Sequence, residues 1–196
     1  MKLPLFGLLL AGGRSRRMGQ DKARIEYDGR PQMQRGLELL GSVCKETFLS
    51  IRGDQNTPAG VASLADNYRD AGPLGGIVTA FDYRSDVAWF VIACDLPFLD
   101  RETLLALVKQ RDRGDRSVYA YASAHDGLPE PLCAIYEPLF AQTLRRHLTL
   151  GQFCPRRILR EESVALFDLP ATAQYCLDNV NTPEEFAQAQ ARFASP

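Results

Sequence analysis

The sequence predicts a doubly wound α/β domain, three layers deep around a mostly parallel central sheet. Three observations carry this. Short apolar runs recur along the chain, amphipathic segments of helical length lie between them, and the first run flows directly into a loop rich in glycine and arginine. Strand, loop and helix alternating in this way define a Rossmann-like arrangement, in which ligands bind beyond the carboxyl ends of the strands. The residues that follow each strand are therefore the ones to read for function.

The first run is "PLFGLLL", residues 4–10. With Lys2 before it, it has the outline of a signal peptide. The run is only about eight residues long, however, and a Gly/Arg loop follows, so it reads as a buried first strand. "TFLSI", "AWFVIAC", "SVYAYA", "LCAIY" and "VALFDL" follow as further strands, rich in β-branched or aromatic residues and too short for helices. Arg30 to Val43 reads as a helix with Pro31 in its first turn and Met33, Leu37 and Leu40 on one face. Arg101 to Arg111 repeats that pattern through Leu104, Leu105 and Val108, with Asp100 as its cap and Glu102 in its first turn.

After the first strand come Ala11, Gly12 and Gly13, then Arg14, Arg16, Arg17, Met18, Gly19, Gln20, Asp21 and Lys22. Glycines let a backbone bend sharply and offer its N–H groups to a ligand without a Cβ in the way, which is how phosphates are cradled. The spacing is neither that of a P-loop nor that of a dinucleotide fingerprint. From Arg14 to Arg24 there are five cationic side chains and one carboxylate, in a chain whose formal net charge is −1. An anionic ligand such as a triphosphate would offset that repulsion. The competing reading is a solvated cationic loop.

Further along, "DNYRDAGPLGG" runs from Asp66 to Gly76, and its Gly72-Pro73-Leu74-Gly75-Gly76 stretch predicts a rigid turn able to hold a flat base by main-chain hydrogen bonds. In "AWFVIACDLPFLD", Asp95 ends an apolar run and Pro97 prevents the strand from continuing. A carboxylate near phosphates is repulsive unless a cation lies between them, so Asp95 is the candidate ligand for Mg²⁺. The alternative is a helix or turn cap. Near the end, Thr182-Pro183-Glu184-Glu185 is a capping box, whereas Asn179 and Asn181 lie outside that explanation: alternating across a strand end they would put two amides on one side, and structural turn residues are the competing reading. Arg145, Arg146, Arg156, Arg157 and Arg160 form a second basic cluster, either a collector of an anionic acceptor or a solvated helical face, the latter favoured because Glu161 and Glu162 follow it.

Composition bounds the rest. With 45% hydrophobic and 24% charged residues over 196 positions, the chain is expected to fold as one domain, residues 1–196. Its charge balance argues against coating nucleic acid, and no apolar stretch approaches the ~20 residues of a membrane span. Five scattered cysteines without a CxxC pair suggest neither a disulfide framework nor a zinc site, and a reducing cytoplasm is the expected compartment.

The pattern LAGG followed by S-x-R-M-G-x-D-K resembles the nucleotide loop of the NTP-transferase superfamily, especially the molybdenum cofactor guanylyltransferases. That resemblance implies that Leu10, Ala11, Gly12, Gly13, Arg17 and Lys22 wrap a nucleoside triphosphate, with Arg17 and Lys22 on its phosphates. "GPLxG", with Gly72 and Gly76, resembles the family's second nucleotide segment, and Asp66 its nucleotide-contacting aspartate. "C-D-x-P" resembles its metal-binding segment. "DGLPEPLCAIYEP" resembles the acceptor segment and implies a role for Pro131, although Glu130-Pro131 stands where some members carry His-Pro. "NVNTPEE" resembles the carboxyl terminus that borders the pterin, with Asn179 and Asn181.

The activity so implied is transfer of GMP from GTP to molybdopterin cofactor with release of pyrophosphate, with Arg17, Lys22 and Asp95 as catalytic residues and Mg²⁺ as cofactor. GTP and molybdopterin are then the ligands, and molybdoenzymes or cofactor-delivery proteins the further partners. Residue spacing alone supports nucleotide, metal and phosphate-like acceptor. Three alternatives stand beside it: a CTP-dependent molybdenum cofactor cytidylyltransferase, a sugar-phosphate nucleotidyltransferase, and a non-catalytic carrier of nucleotide or cofactor.

Overall fold

A computed structural model describes residues 2–11, 25–27, 29–53, 55 and 58–194. The strands are β1 (Leu5–Leu10), β2 (Glu46–Ile51), β3 (Ser63–Ala65), β4 (Ala88–Ala93), β5 (Val118–Ala122), β6 (Pro129–Tyr136) and β7 (Ala165–Phe167). The helices are α1 (Gln32–Gly41), α2 (Pro73–Tyr83), α3 (Arg101–Arg113), α4 (Ala141–Thr149), α5 (Pro155–Glu161) and α6 (Pro183–Ala194). Short 3₁₀ turns cover Pro138–Phe140 and Ala171–Leu177.

All seven strands form one sheet in the order β3-β2-β1-β4-β6-β5-β7. It is mostly parallel, as expected. The exception is β6, which runs antiparallel to both β4 and β5. Because β4 is buried from end to end, it reads as a continuous apolar run rather than an alternating one. Leu9, Phe90 and Ile92 face a cluster shared with Leu40 of α1 and Leu104 and Leu107 of α3. Leu8, Trp89 and Val91 face the opposite cluster, with Leu74 to Phe81 of α2, Leu144 of α4 and Ile158 of α5. The sheet is therefore covered on both sides.

The helix expected over Arg30 to Val43 is observed as Gln32–Gly41, with Pro31 just outside as its N-cap. Its predicted apolar face packs as read, with Leu40 buried and Met33 and Leu37 beside it. Asp100 caps α3, its Oδ1 accepting the Thr103 amide at 2.8 Å. The Thr182–Glu185 box caps α6: Thr182 Oγ1 accepts the Glu185 amide at 3.2 Å, and Glu185 Oε2 accepts the Thr182 amide at 3.1 Å.

One expectation is corrected. Gly72 to Gly76 does not form a free-standing turn; it is the start of α2, with Gly72 at the N-cap and Pro73 at the first helical position. Gly72 supplies a φ of 59°, which a residue with a Cβ resists. The two later glycines are explained by packing: a Cβ on Gly75 would lie 2.7 Å from both Asp66 carboxylate oxygens, and one on Gly76 would lie 2.5 Å from Ser50 Oγ.

Candidate active site

Strands β3, β2, β1 and β4 are parallel, so their carboxyl ends share one edge of the sheet. Since β6 is antiparallel to β4, its first residues reach that same edge, as does the end of β5. This is where the segments singled out by sequence converge. Leu10 pairs with Ala93, its carbonyl accepts the Cys94 amide at 3.1 Å, and the Ala11 amide donates to the Ser50 carbonyl at 3.1 Å. The chain thus leaves β1 beside the Asp95 turn. Gly12, Gly13, Arg17 and Lys22 lie outside the described residues.

Asp95 stands two residues beyond the end of β4, and its turn is clamped from several directions. Buried Gln32 donates its side-chain amide to the Leu96 carbonyl at 3.2 Å, and Arg35 Nη2 donates to the Pro97 carbonyl at 3.0 Å. The Val180 amide donates to the Asp95 carbonyl at 3.0 Å. Helix α1 and the segment before α6 therefore hold the turn between them. The carboxylate also raises the phenol of Tyr27, which is pushed up to about 12, first by burial and then by the negative charge of Asp95.

As a hard oxygen donor at a strand end, Asp95 fits an ion that keeps most of its coordination for water and phosphate oxygens, as Mg²⁺ does. Among the described residues no group of three or more His, Cys, Asp or Glu side chains is gathered, so an all-protein metal cage has no support there.

Asp66 follows β3 and sits against the first turn of α2. Its Oδ1 accepts the Tyr68 amide at 2.7 Å and the Thr79 hydroxyl at 3.5 Å. Burial raises its pKa, while those two hydrogen bonds pull it down. The family resemblance pointed to Asp66 as a ligand contact; in the structure its carboxylate ties the Tyr68 amide to Thr79 of α2 and lies against Gly75.

Pro131 is buried inside β6, where its carbonyl accepts the Tyr136 hydroxyl at 2.8 Å. Beside it, half-buried Glu130 meets Arg156 Nη2 at 3.3 Å, and the same nitrogen lies 2.8 Å from Asp126 Oδ1. Arg156 thus ties α5 to the start of β6. Burial raises the Glu130 pKa, and the Arg156 charge opposes that shift. Most of the second basic cluster is neutralised in the same manner, through the pairs Arg145–Asp82, Arg146–Glu162 and Arg157–Glu161.

Asn179 and Asn181 flank buried Val180 and both line an open cleft of about 400 Å³. The strand end assumed for this pair does not form, and both residues line the cleft from an irregular segment. Phe98, His125, Gln188 and Arg192 complete much of its wall. His125 is a surface residue, with Nε2 3.5 Å from Asp178 Oδ1. Sequence reading missed Phe98, Gln188 and Arg192. The only available signal was their closeness in sequence to Asp95 or to the capping box.

A third apolar cluster joins Ile25 and Tyr27 to Val180 and Ala189, with Phe98, Phe186 and Phe193 packed against it. The chain segment that follows the first loop is thereby seated on α6. The described cysteines are all free, and three of the five are buried, in keeping with core packing.

A mostly parallel sheet whose edge carries an aspartate on a clamped strand-end turn and a glycine-started helix has the features of the nucleotidyltransferase class. Residues 7–166 match the family model described as the MobA-like NTP transferase domain, and the chain belongs to that family. A "Molybdenum cofactor biosynthesis bifunctional protein" of Synechocystis sp. is 38% identical over 188 residues, 94% of this chain and 53% of that protein. The chain thus spans about half the length of that relative. A "Probable molybdenum cofactor guanylyltransferase" of Bacillus subtilis is 35% identical over 186 residues, covering 92% of each chain.

Among solved structures, molybdopterin-guanine dinucleotide biosynthesis protein A from Archaeoglobus fulgidus superposes with a TM-score of 0.82 at 22% identity, over 97% of this chain and all of that one. The 2-C-methyl-D-erythritol 4-phosphate cytidylyltransferase of Thermus thermophilus gives 0.70 at 14% identity, over 98% of each chain. These two likenesses establish the fold.

Proposed function

We propose that this NTP transferase moves GMP from GTP onto the phosphate of molybdopterin, forming the guanine dinucleotide cofactor and releasing pyrophosphate. The supporting observation is that one sheet edge carries the exit of β1 toward the glycine-arginine loop, the Asp66–α2 start, the clamped Asp95 turn and the asparagine-lined cleft. The names of the full-length relatives point to the same nucleotide and acceptor.

In the reaction a phosphate oxygen of the acceptor attacks the α-phosphorus of GTP. A new P–O bond forms, the bond from that phosphorus to the bridging oxygen breaks, and pyrophosphate leaves with the electron pair. The acceptor phosphate is already ionised near neutral pH, so no general base is required. Positioning and charge neutralisation are the protein's work. Arg17 and Lys22 offset charge on the triphosphate, the backbone of Leu10 to Gly13 approaches it closely, and the start of α2 at Gly72 to Gly76 meets the nucleotide, with Asp66 contacting the ligand.

Divalent metal use is general in this family, and Mg²⁺ held by Asp95 would neutralise phosphate charge and stabilise the leaving pyrophosphate. Pro131, Asn179 and Asn181 face the acceptor side. Delivery to a molybdoenzyme or a carrier would follow release.

The test is pyrophosphate release by the full chain with molybdopterin, Mg²⁺ and either GTP or CTP. GTP-dependent release, with CTP a poor competitor, is the expected result. Preference for CTP would overturn the base assignment, and no release with either would favour a carrier.

A further inference from the structure

The cleft beside Asn179 and Asn181 holds polar groups whose roles divide sharply. Glu185 Oε2 is occupied by the amides of Asn181 and Thr182, and Asp178 faces His125. Arg192 has no carboxylate partner among the described residues. Its guanidinium instead lies over the Tyr175 ring at 4.2 Å and the Phe98 ring at 5.2 Å. Phe98 is itself stacked on Phe193 at 5.4 Å, so this wall of the cleft is braced from behind.

A guanidinium held against aromatic rings forms a flat, cationic surface. Such a surface stacks well on a conjugated heterocycle and poorly on a flexible or saturated group. The nearby amides of Asn179 and Gln188 can read the alternating donors and acceptors on the edge of such a ring.

The cleft is also joined to the Asp95 turn. Phe98 is three residues from Asp95 on the clamped turn, and Val180, between the cleft asparagines, donates to the Asp95 carbonyl at 3.0 Å.

We propose that Arg192, backed by Tyr175 and Phe98, is the ring-binding wall for the acceptor: a flat, phosphate-bearing heterobicycle stacks on the guanidinium while Asn179 and Gln188 recognise its edge. The identity of the acceptor as a pterin rests on the function proposed above. Arg192 and Gln188 are acceptor-specificity residues in this scheme, and neither takes part in bond making.

Two measurements on the full chain test it. In steady state, Arg192→Ala raises the KM for molybdopterin about tenfold, with kcat and the KM for GTP little changed. Arg192→Lys, which keeps the charge and loses the plane, shows most of that defect, and Gln188→Ala a smaller one. In a fluorescence titration, 6-hydroxymethylpterin binds the wild type saturably and binds Arg192→Ala about tenfold more weakly. Circular dichroism checks that all three variants fold. An unchanged acceptor KM, an equal rise in the GTP KM, or equal pterin affinity in wild type and Arg192→Ala overturns the proposal. Failure of the transferase reading is distinguishable: the wild type would release no pyrophosphate, and the pterin titration alone would still decide whether Arg192 forms the wall.

Discussion

The amide of Val180 donates to the carbonyl of Asp95 at 3.0 Å, joining two segments that lie 85 positions apart. Through this bond the asparagines proposed for the acceptor side are tied to the turn that carries the candidate metal carboxylate. Asp95→Ala keeps the bond, because only the side chain is lost. Turnover should fall at least about a hundredfold while the melting temperature stays close to wild type. Pyrophosphate release and a thermal melt check this, and chelation of divalent ions should mimic the loss until Mg²⁺ is restored.

The capping box offers an independent handle on the asparagine segment. Glu185 Oε2 accepts the Asn181 amide at 2.6 Å as well as the Thr182 amide. Glu185→Ala should cost about 1 kcal/mol of stability and loosen the Asn179–Asn181 stretch. The expected kinetic result is a higher KM for molybdopterin at an unchanged KM for GTP. A rise in both would mean that the loosening reaches the nucleotide side.

Two glycines should respond in opposite directions to the same change. A Cβ at Gly76 meets Ser50 Oγ at 2.5 Å and Leu10 Cδ2 at 2.9 Å, whereas one at Gly41 meets nothing within 4 Å. Gly76→Ala should therefore destabilise by about 1–3 kcal/mol through overpacking and disturb nucleotide affinity. Gly41→Ala should stabilise by about 0.5–1 kcal/mol, since it reduces unfolded-state freedom without a clash. Denaturant melts of the two variants decide the matter.

The desolvated Asp66 predicts a pH dependence whose sign follows from linkage. Its pKa is raised above the ordinary value of 3.8, so in the window just above that value the folded state binds more protons than the unfolded one. Stability contributed through this group accordingly falls as pH rises through the window, and the penalty is absent below it. Asp66→Asn should flatten that slope. Urea melts from about pH 3.5 to about pH 6 would show it as a shrinking difference at the acid end.

At the opposite edge of the sheet, Arg111 Nε lies 2.6 Å from Glu137 Oε1 and its Nη2 donates to the Leu3 carbonyl at 2.8 Å, all within the interior. Glu137→Gln leaves a buried guanidinium without its counter-charge. The expected cost is about 3–5 kcal/mol in stability. Both KM values should be unchanged at a temperature where the variant is folded, because the pair lies away from the active edge.

What was legible and what was not divides along physical lines. Helix α3 was readable because its signals are local: an aspartate cap, an acidic first turn and apolar residues at helical spacing. Helix α2 was not, because its glycines and β-branched Ile77 and Val78 argue against a helix by propensity. Burial from Leu74 to Phe81 outweighs that preference. Strand β3, three residues at the sheet edge, carried too little periodicity to register.

By itself the sequence determined the alternating architecture, the caps of α3 and α6, and the residue types that suit a phosphate-transfer site, since each depends on neighbours within a turn or two of chain. Only the tertiary structure decided that Asp95 and Val180 touch, that α2 approaches β1 and β2 closely enough to exclude a side chain at Gly76, and that Arg192 stacks beside the asparagines. Those contacts join residues distant along the chain, and they exist because burying both faces of the sheet brings the strand ends to one edge.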